Sequence, residues 1–255
     1  FRAAGLSHLV AVSGQNVAMV LGALALATRR LGAPVRAILA VTTIGLFVLV
    51  VGPQPSVLRA GAMAVIVVAA VGGGARVEPW HALGLAVGAV IALRPAVLHS
   101  AGLHLSVAAT AGLLLWARPL WRRLARLPSW IALALAATIS AQLAVTPLVA
   151  GLFGNVSLVA PVANVLALPA VPPATVLGLC AALAGAVSPD LGAALARLAE
   201  PFVAWILMVA HVLGEAEWSA VDVPSWTGVP LGLVVVAIGA RTAAHGRGST
   251  LRSGR

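Results

Sequence analysis

The chain has 255 residues, 61% hydrophobic and only 9% charged, with 16 basic side chains against 6 acidic and a formal net charge of +10. An average soluble domain carries about 25% charged residues, so a water-facing surface is excluded and a polytopic membrane protein is expected, with lipid as the main solvent. Every basic residue other than histidine is arginine, which excludes a phosphate-loop lysine, a Schiff-base lysine and a Ser-Lys dyad, and with them a self-contained nucleotide-driven motor.

A helix crosses a bilayer with about 20 apolar residues and satisfies its own backbone, which lipid cannot do for it. On that rule the apolar runs predict an all-α polytopic bundle of about nine spans, at 8–28, 35–52, 57–74, 79–94, 97–117, 130–152, 170–188, 201–215 and 228–244. Residues 156–188 are too long for one span and contain Pro161, Pro169, Pro172 and Pro173. A broken or re-entrant element at 156–170 is expected there, and such an element is tolerated at membrane depth only where protein or a water-filled cavity covers it. Residues 1–244 read as one transmembrane domain and 245–255 as a basic disordered tail drawn to anionic lipid. The opening at Phe1, without a charged-then-apolar leader, reads as a piece of a longer protein and not as a signal peptide.

Thirteen of the sixteen arginines, from Arg29 to Arg255, fall on one side of this scheme, whereas Arg2, Arg94 and the acidic Glu215, Glu217 and Asp222 fall on the other. Cytoplasmic loops retain positive charge, so the amino end is expected outside and the carboxyl end in the cytoplasm.

Polar side chains inside spans cost several kcal/mol unless partnered, and they mark substrate paths or buried contacts. Three clusters stand out. The first holds His8, Ser13, Gln15 and Asn16, of which His8, Gln15 and Asn16 fall on one helical face. The second is the proline-punctuated turn with Gln54 that leads to Arg59, the one arginine placed inside a span, either turned inward or snorkelling outward. The third joins His104, Ser106 and Thr110 to Ser140, Gln142 and Thr146, with Asn155 and Asn164 beyond. Membrane-helix hydroxyls serve mainly as packing contacts, whereas Gln142 and Asn164 are costlier to bury. The histidines lack metal-ligand spacing, and no buried carboxylate is available to orient one. Neither catalysis nor a cofactor is expected, and Cys180 reads as a small apolar-run residue.

The stretch Ala4-Gly5-Leu6-Ser7-His8-Leu9-Val10-Ala11-Val12-Ser13-Gly14 resembles the signature of ComEC-type competence proteins. Pro55-Ser56-Val57-Leu58-Arg59-Ala60 is similar to that family's proline-serine-x-x-arginine-alanine segment, and Leu105 to Gly112 to its leucine-serine-x-alanine-alanine-threonine-x-glycine segment. Later segments from Ala141-Gln142 to Pro169 follow in the family's order, so the likeness runs from Ala4 to about Gly185. Gln15-Asn16 stand where the family commonly has leucine-histidine, and Leu103-His104 where it has phenylalanine-glutamine. The metallo-β-lactamase-like domain of many members is not read in these residues, and its nuclease activity is not carried over.

The resemblance implies an inner-membrane channel passing single-stranded DNA into the cytoplasm during transformation, served by an external DNA receptor and a cytoplasmic ATP-driven motor, with the chain alone or as a homo-oligomer. A polyanion crossing a low-dielectric slab needs a hydrated path and some positive potential. The candidates to line it are His8, Ser13, Gln15, Asn16, Gln54, Arg59, His104, Gln142 and Asn164. A secondary transporter for a small solute and a non-transporting scaffold subunit are the competing readings. The former calls for an inverted repeat or a buried coupling carboxylate, and neither is found in the sequence.

Overall fold

The computed structural model describes residues 3–6, 9, 14–216 and 219–252, with side chains through 239 and at 241. Ten helices account for nearly all of it. They are α1 (Gly14–Ala27), α2 (Ala33–Val51), α3 (Pro55–Gly72), α4 (Pro79–Leu93), α5 (Ala101–Arg123), α6 (Ser129–Phe153), α7 (Ala160–Ala167), α8 (Val171–Gly185), α9 (Pro189–Gly214) and α10 (Gly228–Arg252). Proline occupies the first turn of α2, α3, α4 and α9, where its missing N–H costs nothing and its φ is already helical.

Five helices, α2, α3, α5, α6 and α9, are long and apolar enough to cross a membrane; α7 and α8 together make a sixth segment, bent by 59°. Shorter apolar helices occupy 14–27, 79–93 and 225–239. Leu49, Leu93, Val212 and Val236 are among the many large apolar side chains on the outer surface, an arrangement that lipid solvates and water does not. The chain is thus a helical membrane protein.

Two predicted spans change. The helix assigned to 201–215 begins at Pro189, after the Ser188 hydroxyl accepts the Leu191 N–H, and runs through Pro201. Pro201 removes one backbone hydrogen bond, yet the small Gly192 and Ala199 face inward and packing carries the helix past it. Arg197 therefore sits on α9 and not in a loop. The span assigned to 97–117 is a short 3-10 turn, Pro95–His99, followed by α5, which passes a π-turn at Leu113–Ala117 and continues to Arg123. At that point Gly112 lies against the backbone of Ser140 on α6, where a Cβ would stand 2.4 Å from a carbonyl oxygen.

The expected break near 156–170 is present and begins with a strand. β1 (Asn155–Ser157) pairs antiparallel with β2 (Ala220–Asp222), Val156 opposite Val221, and Asn155 Nδ2 donates to Asp222 Oδ1 at 2.9 Å. The amino-terminal residues dock beneath this ribbon. Ser157 Oγ donates to the Ala3 carbonyl at 2.6 Å, and Ala4 and Leu6, both fully buried, pack with Ala163, Ala167 and Val209. Gly5 takes φ +68° with its α-carbon against Ala160, a conformation and a clearance that a side chain would destroy.

Candidate functional site

Arg59 lies in the second turn of α3 and is 5% exposed, so it turns inward and does not snorkel. Its Nε donates to Ser106 Oγ on α5 at 2.9 Å, and its Nη1 donates to Met63 Sδ, one turn along α3, at 3.0 Å. Nη2 is turned to α1, where a Cβ on Gly14 would stand 2.7 Å from it and 3.0 Å from Ala60 Cβ. One guanidinium thus ties three helices together. Its hydrogen-bond partners among the described residues are neutral, and the five described carboxylates, Glu78, Asp190, Glu200, Glu215 and Asp222, are all exposed. A buried cation without a counterion is held at a cost of several kcal/mol. Guanidinium prefers charged oxygen acceptors to a hydroxyl or a thioether, so an anion that reached it would displace either partner.

Asn16 is another of the buried polar residues, with Thr28, Ser140 and Ser219. It is 8% exposed, and its Oδ1 is completely enclosed with no hydrogen-bond donor among the described residues. It lines a cavity of about 240 Å³ with Thr175 on α8 and the apolar side chains Val171, Val203, Ile206 and Leu207. Gly14 and Asn16 are two residues apart, about 200° around a helix. The Arg59 contact and the Asn16 cavity therefore occupy opposite faces of α1, the first toward α3 and α5 and the second toward α8 and α9.

The remaining candidates do not converge on either place. His8 and Ser13 lie outside the described residues. Gln15 and His104 are exposed on α1 and α5, and Gln54 is exposed at the start of α3 without a capping bond. Gln142 and Asn164 are half-buried on α6 and α7. Three of the clustered hydroxyls bond back along their own helices, Thr110 to Ser106, Ser140 to Ala136 and Thr146 to Gln142, the packing role expected of them, and Thr28 bonds in the same way to Leu24.

Four contributors are not among the site residues expected from the sequence. Met63 was legible in principle, one turn beyond Arg59 on the same face. Gly14 and Thr175 carry no local signal, since their roles come from helices distant in the chain. Trp205, on α9, donates its indole N–H to the Leu166 carbonyl at 2.8 Å. That carbonyl is free because the Ala170 N–H turns back to Ala167 instead, so the tryptophan satisfies an acceptor that the break between α7 and α8 releases.

A family model described as Competence protein matches residues 1–247. No curated protein and no solved structure matches the chain.

Proposed function

The chain belongs to the competence protein family, and from that premise we propose that it forms the membrane passage through which single-stranded DNA enters the cytoplasm during natural transformation. The observation that carries the reading is Arg59, a buried guanidinium among neutral partners inside an apolar bundle. A phosphate arriving there gains a charge-assisted bond that Ser106 and Met63 do not supply. A single fixed cation attracts a polyanion without holding it along its length, so the strand can leave again.

The reading places the chain in the inner membrane as about nine crossings, with the amino end outside and the carboxyl end in the cytoplasm. It requires an external receptor to deliver DNA and a cytoplasmic ATP-driven motor to draw it in, because this sequence has no lysine for a phosphate loop. No catalysis is assigned to this segment.

The test is uptake of labelled DNA by a naturally competent host lacking its own channel and carrying the full-length parent gene, with membrane levels checked. Arg59→Ala is expected to insert normally and to lose uptake by at least about tenfold, a loss equivalent to one charge-assisted hydrogen bond. Arg59→Lys keeps the charge without the planar fork and is expected to fall between the two. Full uptake by a normally inserted Arg59→Ala protein removes the guanidinium from the mechanism. Failure of the parent, where a related channel works, rejects the passage itself.

A further inference from the structure

Arg197 and Glu200 lie near the middle of α9, and both are exposed. With Asp190, His211 and Glu215 they are the ionisable side chains of that helix and its cap. At about 100° per residue the five fall within roughly 80° of arc, on the side away from the buried Gly192, Ala199 and Ala210. A Cβ on Gly192 would stand 2.6 Å from the Gly185 α-carbon, which sets the register of the α8–α9 hairpin. Arg197 and Glu200 lie about 8 and 12 Å beyond that contact. They are therefore level with Cys180 and Leu177 on α8, inside the stretch 171–187 that holds no charged residue.

Ionisable side chains at that depth face a protein neighbour or a water-filled cavity, because hydrocarbon solvates neither sign. Among the described residues the one ion pair joins His211 to Glu215, at 3.3 Å, and none reaches Arg197 or Glu200. α9 packs chiefly on α8 and α7, so nothing described covers its charged stripe. We propose that a second copy of this chain covers it, two α9 helices meeting side by side about a two-fold axis along the membrane normal. The helices then run parallel, and equal residues face one another at equal depth. Arg197 and Glu200 are one turn apart on one face, so each arginine meets the partner subunit's Glu200 and the interface holds two reciprocal ion pairs. Ala193 and Ala204, on the same stripe, are small enough to let the helices approach.

The charges of the stripe choose among occupants. Three carboxylates against one arginine and one histidine repel a phosphate backbone, so the stripe is not the wall of a DNA path. Lipid tails leave Arg197 and Glu200 without partners. A two-fold contact gives each of them its opposite from the same turn of helix. Asp190 and Glu215 lie at the two ends of α9, where water and salt screen like charges across the axis. The proposal does not rest on the DNA-passage reading.

The experiment is disulfide trapping of the 255-residue chain in isolated membranes, on a Cys180→Ala background and with one new cysteine at a time. On mild oxidation Ala193→Cys and Ala204→Cys are expected to give a covalent dimer, twice the 25.5 kDa of one chain. Leu198→Cys, exposed on another side of α9, is expected to give none. Added to Ala204→Cys, Arg197→Glu is expected to lower the trapped fraction at least about tenfold, the equivalent of one charge-assisted hydrogen bond. Glu200→Arg is expected to do the same, and the two together to restore trapping, which a misfolded chain would not do. Trapping at the two alanines needs neither charge variant and decides the interface even where those fail to insert. Absence of trapping at both alanines overturns the interface and leaves the stripe to lipid or water. Equal trapping at Leu198 marks random collision and overturns it too. Trapping unchanged by Arg197→Glu overturns the reciprocal pairing, and an adduct of any mass other than two chains overturns the second copy in favour of a different protein. DNA passage is read by uptake and is untouched by each of these results.

Discussion

Gly14 and Asn16 show how two neighbouring residues of one helix are put to opposite uses. Gly14 is kept small by a distant arginine: a methyl there meets Nη2 at 2.7 Å and Ala60 Cβ at 3.0 Å, and α3 would have to move away. Gly14→Val is accordingly expected to destabilise by about 1–3 kcal/mol, the usual cost of overpacking, read as a lower midpoint of thermal unfolding in detergent. Asn16 is the reverse case. Its enclosed Oδ1 lacks a donor, and such a group costs about 1–3 kcal/mol, so Asn16→Leu is expected to raise that midpoint in the unliganded protein. A lowered midpoint would mean that the amide holds the helices together. Asn16 and Arg59 were both singled out by the sequence, because a polar residue in an apolar run is visible from composition alone. Their separation onto two faces of α1 was not, because it depends on which helices lie on either side.

Among the elements, the break between α7 and α8 was the most legible, since four prolines crowd residues 161–173 and proline both removes donors and unsettles its predecessor. What the sequence could not supply was the means by which the break is tolerated. Trp205, two residues from both Val203 and Leu207 on α9, reaches across to the released Leu166 carbonyl. Trp205→Phe keeps the ring and loses that bond, so a loss of about 1 kcal/mol is expected, with faster amide hydrogen exchange confined to α7 and the start of α8. Unchanged exchange in α7 would show that the carbonyl finds another donor. The junction of α8 and α9 depends on small residues in the same way: a Cβ on Gly192 would stand 2.6 Å from the Gly185 α-carbon. The start of α9 was misplaced because Pro201 resembles a helix beginning, whereas here it lies mid-helix and the beginning is set by Ser188 and Pro189.

At the scale of the molecule, the two-stranded ribbon constrains how the chain traverses the bilayer. β1 follows α6 and β2 follows α9, and paired strands share one side of the membrane. An even number of crossings must therefore separate them. With α9 crossing once, α7 and α8 together must cross once, which favours a single broken span over two full ones. The Ala3 carbonyl bonded to Ser157 brings the amino-terminal segment to that same side, so the crossings from α1 to α6 are even in number too. Since α2, α3, α5 and α6 are long enough to span, the shorter α1 and α4 cross together or not at all. The proposed orientation puts Arg29, Arg30 and Arg122 to Arg126 opposite the ribbon, on the cytoplasmic side. The prediction is that, after Cys180→Ala removes the chain's one cysteine, single cysteines placed at Gln54 and Val223 react with a membrane-impermeant maleimide in intact cells. Cysteines at Leu31, Ala125 and Val187 are expected to react only after permeabilisation. Labelling at Val187 from outside would mean that α7 and α8 return to the side they left, and the ribbon could then form only if α9 did not cross.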